Sequence, residues 1–581
     1  MKAMLISLLL SSLALAQTAP FDFTQQDITA DLTGAQPAIE VNLTAVANRS
    51  IDRFDFLIPP GTMEGFWVNG TQVQPAPHPQ YPTHLWRVTF PTMAKGQSAE
   101  FRMTYKGPLS CQIPNSPLAQ CVSSPEGTML YPLTYEMPWY FQNFYADADA
   151  NLWTVTVRVP QGHSAIAGQG AATVTELPGG AQRWTYAAHV PTESQFIASG
   201  VFQAVQASSG DRTVKAYFTP GTVSEDRQQS SADLALALWS VYAPMYGELP
   251  IAESHLIAAP QSMPAGGMGM LGNVLLADYI FFTHTYLIDQ GIAHEMAHSW
   301  WGNLSSGVFD EMGFMSEAFA EYSGWRALGA LRGPAERARG MRMNAVWYMY
   351  RTPAGQDVAP LSADVAQKPG FIYVTYHKAP VVLRMLEEET GPAIFAPALR
   401  ALIARGYGQT SMAALAEEVS KLGGPDLTPL IDRWLRHTGF ARVKIAPRRD
   451  ADGVKWQAQC EGVCPVSLPV RVRLPSGEVV SSKVNAAATR SESLVSGEQS
   501  LESIELDPEW TAVREVSCSQ PSDVTLDGTI DGRDLLEVAL RVGGALPTER
   551  RIDGAYDPLY DVNGDRRIDA ADAATVLAAV Q

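Results

Sequence analysis

His294, Glu295 and His298 stand in the order H-E-x-x-H. On a helix of ~3.6 residues per turn the two histidines lie one above the other on one face. Two imidazoles with stems ~5–6 Å apart can grip one Zn²⁺. Glu295 sits one residue round the helix from His294, placed to take a proton from a water at the open coordination position. Catalytic zinc keeps three protein ligands and leaves the fourth position to water, so a third ligand is required. Glu317 follows His298 by nineteen residues, inside Met312-Gly-Phe-Met-Ser-Glu-Ala-Phe-Ala-Glu-Tyr322. That stretch also reads as a helix, and a helix-loop-helix would carry its carboxylate to the two histidines. The chemistry this points to is hydrolysis by a metal-activated water.

A second set of ligand-type residues lies at the C-terminal end, in an internal repeat. Asp523, Thr525, Asp527, Asp531 and Asp534 occupy positions 1, 3, 5, 9 and 12 of one loop. Asp561, Asn563, Asp565, Asp569 and Asp572 occupy the same positions of another. Recurring oxygens at these places make the cage a hard Ca²⁺ ion needs, with Ile at position 8 tying each loop to a core. Up to two Ca²⁺ are expected. Apolar helical runs follow both loops, Leu535 to Leu540 and Ala573 to Val580.

The rest of the chain bounds what these sites can belong to. It has 581 residues, 46% hydrophobic and 18% charged, a globular composition long enough for about three to five domains. A formal charge of −18 argues against nucleic acid as a partner. Residues 1–16 combine Lys2, an apolar core and Ala14-Leu-Ala16, which reads as a cleavable signal peptide. The expected location is therefore secreted or periplasmic, with no membrane span once the signal is removed. Disulfides between Cys111 and Cys121 and between Cys460 and Cys464 fit an oxidising compartment and leave Cys518 odd.

Residues 17–205 read as strands. Trp86 to Phe90, Ala99 to Tyr105 and Leu152 to Val159 largely alternate apolar and polar side chains. From 206 to 440 the pattern turns helical, with Ser231 to Tyr242, the two ligand-bearing helices, and a helix opened by Pro334. Residues 441–517 return to strands and suit a small β-sandwich, with Pro469 expected on an edge strand or at a strand start. Residues 518–581 hold the acidic repeat.

These motifs carry two resemblances. His294-Glu-Met-Ala-His-Ser-Trp-Trp-Gly-Asn303 and Ser316-Glu-Ala-Phe-Ala-Glu-Tyr322 resemble the two ligand-bearing helices of the aminopeptidase N family of zinc peptidases. The resemblance spans residues 17 to about 515. It implies His294, His298 and Glu317 as ligands of one Zn²⁺ and Glu295 as general base. Tyr376-His-Lys-Ala379 resembles that family's Tyr-x-Lys-Gly except at Ala379, and implies that Tyr376 hydrogen-bonds the oxyanion. The family's substrate strand, Gly-x-Met-Glu-Asn, is matched by Gly266, Gly267, Met268, Gly269 and Met270. Gly269 therefore stands where a glutamate would bind the free amino terminus. Glu136 in the first domain is a candidate replacement. The tail resembles a dockerin, which implies a cohesin-like protein partner. In its second loop Arg566 stands where glycine is expected at the sharp turn.

The fold expected is multidomain α+β: an N-terminal β-rich saddle, a mainly helical thermolysin-like catalytic domain, a small β-sandwich and a C-terminal helical calcium-binding module. The function expected is a secreted zinc metallopeptidase of aminopeptidase type, cleaving peptides. One rival is an endopeptidase, or a peptidase that does not read the free N-terminus. Another is a secreted binding protein without catalysis.

Overall fold

The structure is a computed structural model. It describes residues 19–580 apart from 84, 108, 110, 113–118, 125–126, 132–138, 143–149, 193, 260–265, 283–284, 363–364, 366–367, 499–500 and 546–555. The leader 1–16 and Glu136 lie outside the described residues. The chain divides into two compact units, residues 1–309 with 403–410, and residues 310–402 with 411–581. The division falls inside the stretch 206–440.

In the first unit, the alternating segments near the N-terminus form an eight-stranded sheet. Its centre is Leu152–Val159, Phe21–Asp31, Ala38–Ala47 and Ser98–Lys106, in that order. A three-stranded sheet built on Ile51–Leu57 and Leu85–Met93 shares its core. Aromatic rings fill that core, with Phe54 stacked on Phe101 at 4.5 Å and Phe56 on Phe66 at 4.6 Å. Every second residue of Leu152–Val159 is buried, as one-sided burial of a strand requires.

The same unit then builds a five-stranded sheet in the order Gln203–Ser209, Arg212–Phe218, Glu253–Ala259, Asn273–Ala277 and Gly267–Met270. Arg212–Phe218, Glu253–Ala259 and Asn273–Ala277 run parallel to one another. The last two are buried nearly throughout, as strands covered on both faces should be. Gly267–Met270 runs antiparallel at the edge.

The second unit starts with helices Phe319–Arg332, Pro334–Arg351 and Ala379–Thr390. They close around Glu387, which pairs with Arg326, Arg337 and Arg384. Those guanidinium groups hold its buried carboxyl below the usual carboxylate range. Two sheets follow. One is four-stranded, in the order Ser491–Ser496, Gly453–Gly462, Ala441–Asp450 and Arg514–Cys518; the other is three-stranded, with Val466–Arg473 at its centre. Pro469 thus lies in a central strand rather than at an edge. Its neighbour Ser503–Leu506 pairs only with Val470 to Arg473, so the missing N–H removes no ladder bond on that side. Helices Gly532–Arg541 and Ala570–Ala579 end the chain and pack on each other.

Cys460 and Cys464 are joined by a disulfide, and Cys121, paired across its strand with Cys111, is disulfide-bonded. Cys518 is a buried free thiol. Among the described residues no helix is long and apolar enough to cross a membrane.

Candidate metal centre and its substrate strand

His294 and Glu295 sit in the last turn of helix Thr285–Ala297, and His298 sits one residue past it, in the turn that closes the helix. The tyrosine hydroxyl of Tyr242 donates to the Ala293 carbonyl at 2.7 Å and holds the helix end from behind. All three candidate side chains are buried.

His298 Nδ1 lies 2.9 Å from the carbonyl oxygen of Trp301. A carbonyl only accepts, so Nδ1 carries the proton and Nε2 keeps its lone pair. That Nε2 is 3.2 Å from Nε2 of His294 and 3.9 Å from Oε2 of Glu295. Two nitrogens sharing a tetrahedral zinc at ~2.0–2.1 Å stand about 3.3 Å apart. Spacing, tautomer and donor type all fit Zn²⁺.

The strand Gly267–Met270 runs directly against this helix. A Cβ added to Gly267 would overlap the Glu295 carboxyl, and one added to Gly269 would overlap the Glu295 carbonyl and the His298 Cβ. The alternate residues Met268 and Met270 point the other way, into an apolar cluster. The sequence placed Gly269 where a glutamate is expected; here the helix leaves room for no side chain at all. Two residues that sequence reasoning did not single out fasten the strand down. Asn303 Nδ2 donates to the carbonyls of His298 at 2.8 Å and Gly269 at 3.3 Å. Ser299 Oγ accepts from the Gly272 N–H at 3.1 Å. The signal for both was their place just after the second histidine. Gly266 lies in a bend just before the strand, and a Cβ there would come 3.3 Å from the Tyr279 hydroxyl.

Glu317 and Tyr376 belong to the second unit. Glu317 lies on a π-helical turn, Phe314–Ala318, that runs straight into helix Phe319–Arg332. Tyr376 lies on another, Tyr373–Lys378, ahead of helix Ala379–Thr390. The two π turns pack together. The sequence indicated a plain helix around Glu317; the extra residue of a π turn is a frequent mark of a functional position. Lys378 is buried and donates to the His437 carbonyl at 2.7 Å. Burial pulls its ammonium pKa down to about 8.

The acidic loops share one hydrogen-bond skeleton. The position-1 carboxylates, Asp523 and Asp561, each accept the N–H groups of positions 5 and 6. The position-12 carboxylates, Asp534 and Asp572, each accept those of positions 3 and 9. Asp531 and Asp569 cap the helices that follow. Asp527 and Asp565 each accept from the N–H two residues on, as does Asn563, while Thr525 sits half-buried in the loop. Burial, with Asp534 and Asp527 alongside, raises the Asp523 carboxyl to about 7.

Paired imidazoles and a carboxylate at one helix end, beside a short edge strand, form a cluster able to hold a metal ion, in the H-E-x-x-H arrangement. More particularly, residues 245–434 match the peptidase family M1 domain and residues 521–581 the dockerin type I domain, so the chain carries a domain of the aminopeptidase N family joined to a dockerin. Aminopeptidase 2 of Candida albicans is 25% identical over 40% of this chain and 26% of its own length. Aminopeptidase Ey of Gallus gallus is 24% identical over 52% and 34%, and aminopeptidase N of Streptomyces lividans 27% identical over 33% and 24%. The chain spans about a quarter to a third of the length of these relatives. Aminopeptidase A of Legionella pneumophila, solved with aspartic acid, aligns at a TM-score of 0.71 over 98% of this chain and 67% of its own, at 13% identity, a likeness of fold alone.

Proposed function

We propose that the chain is an exported zinc peptidase of aminopeptidase type that cleaves peptides. The observation that carries this reading is the 3.2 Å approach of the two Nε2 atoms beside Glu295, inside the matched M1 segment. His294, His298 and Glu317 would hold one Zn²⁺. When bound, that ion supplies Lewis acidity at the scissile carbonyl and lowers the pKa of the attacking water. Glu295 takes the water's proton and passes it to the leaving amine. Tyr376 donates a hydrogen bond to the developing oxyanion. The edge strand Gly267–Met270 offers its N–H and C=O groups to the substrate backbone. Glu295→Ala is expected to keep its metal and lose roughly 10²–10⁴-fold in turnover. Turnover at the wild-type rate with metal in place would defeat the reading.

Gly269 favours a second reading, a peptidase that does not require a free amino terminus. The contact of Gly269 with the zinc-type helix leaves this strand without a carboxylate to pair with an ammonium. Paired digestion of free and N-acetylated peptides separates the two readings. Equal cleavage supports the second, and a strong preference for the free form supports the first.

The C-terminal loops would each hold Ca²⁺, through Asp523, Thr525, Asp527, Asp531 and Asp534 in one and Asp561, Asn563, Asp565, Asp569 and Asp572 in the other. The module would then dock on a cohesin-like partner outside the cell. The matched dockerin domain and the shared loop skeleton support this.

A further inference from the structure

Asn344 is fully buried in helix Pro334–Arg351, which packs on the helices that follow both π turns. Its amide spans two partners from different parts of the chain. Nδ2 lies 3.2 Å from Oε1 of Glu321, and Oδ1 lies 3.1 Å from Nδ1 of His377. The same Oε1 accepts from the indole N–H of Trp325 at 2.7 Å. Each donor and acceptor in this chain is determined. A carboxylate only accepts, so the amide must turn its NH₂ toward Glu321 and its oxygen toward His377. His377 must then be protonated on Nδ1. Burial pulls its pKa to about 4, which keeps the ring neutral and leaves Nε2 bare. Trp347 stacks on the ring at 5.2 Å and removes its remaining freedom.

What these partners carry gives the tie its meaning. Glu321 stands one turn beyond Glu317, where the first π turn continues into its helix. His377 is the residue after Tyr376 on the second π turn. We propose that Asn344 is a positioning residue for hydrolysis, fixing the π turn of Tyr376 against the helix that presents Glu317. It rests on the roles given above to Glu317 and Tyr376. A displacement of ~1 Å between groups that must meet one reacting carbonyl can cost ~10²-fold in rate. π turns are rare and gather at functional positions, which is where a fixed spacing between them matters. A buried amide with both ends satisfied is the economical way to hold them.

The test uses the full-length, metal-loaded chain and an internally quenched peptide chosen from the products of a peptide-library digestion. Asn344→Leu keeps the volume and removes both hydrogen bonds. It is expected to lower kcat about 10–100-fold, with KM and zinc content unchanged. Combined with Tyr376→Phe, it should add no further loss, because both changes act through one hydroxyl. Multiplicative losses in the double variant would overturn the inference, as would an unchanged kcat in Asn344→Leu. An unchanged kcat in Tyr376→Phe alone would instead overturn the role given to Tyr376, and the two failures are thereby distinguished.

Asn344→Asp tests the tie should the leucine variant not fold. It sets two carboxyls side by side, and they must share a proton. At low pH the shared proton keeps the bridge, and as pH rises through the pair's raised pKa the bridge is lost. Its kcat should therefore fall with rising pH relative to wild type. A profile parallel to wild type would overturn the inference.

Discussion

The two acidic loops are copies of one design placed in different surroundings. Each needs a left-handed backbone at positions 4 and 6, and each has one glycine to supply it. In the first loop position 4 is Leu526, with φ 56°, and position 6 is Gly528, with φ 84°. In the second, position 4 is Gly564, with φ 76°, and position 6 is Arg566, with φ 69°. The exchange follows what each loop touches. Position 6 of the first loop lies on the strand Ala441–Asp450, where a Cβ would come 3.1 Å from the Arg449 nitrogen. Any larger residue would need the strand backbone to give way by a few tenths of an ångström, on top of the left-handed φ. Leu526 meanwhile buries its side chain and gives its carbonyl to the indole N–H of Trp456 at 2.7 Å. Arg449 adds a 2.9 Å pair to Asp527, itself buried. In the second loop Gly564 faces open space, Asp565 is exposed, and Arg566 reaches over the Tyr350 ring at 5.9 Å. Burial and tertiary hydrogen bonds therefore decide where a sterically costly residue is tolerated within one repeated motif.

Swapping residues between the loops breaks this contrast most strongly. Gly528→Arg puts the second loop's residue into the first and is expected to cost about 2–4 kcal/mol, from backbone strain and collision with the strand. Urea unfolding of the calcium-loaded chain reads the loss, and a cost no larger than that of a typical surface change would show that the contact is slack. Trp456→Phe leaves the buried Leu526 carbonyl without its donor and should cost about 1–2 kcal/mol. Hydrogen exchange should then quicken at 526–534 and remain unchanged at 563–572. Equal quickening in both loops would remove the asymmetry. The smallest change is a gain. Arg566→Gly relieves a left-handed residue and should add about 0.5–1 kcal/mol, net of a weak cation–ring contact, measured as a raised midpoint at saturating calcium.

The positions of these loops could be read from the sequence because oxygen donors at fixed intervals are a local pattern. The same holds for His294, Glu295 and His298, whose spacing alone brings two imidazoles together. Strand segments such as Leu152–Val159 were equally readable, since one-sided burial writes itself as alternation. What escaped depends on distant partners. The π turns at Glu317 and Tyr376 leave the apolar pattern of their helices nearly intact, so nothing in the spacing betrays an added residue. Asn344 gains its role from residues 23 and 33 positions away. Gly267 and Gly269 were visible as glycines, but their reason, a helix pressed against them, is a matter of tertiary packing. Pro469 misled because an edge or a strand start was inferred where a short neighbouring strand was enough.

The bonds from Arg449 and Trp456 to the first loop have a mechanical side. A module fastened in this manner does not swing on a leash. Whatever grips helices Gly532–Arg541 and Ala570–Ala579 also takes hold of the sheet that carries Arg449 and Trp456, and so sets its heading as well as its address.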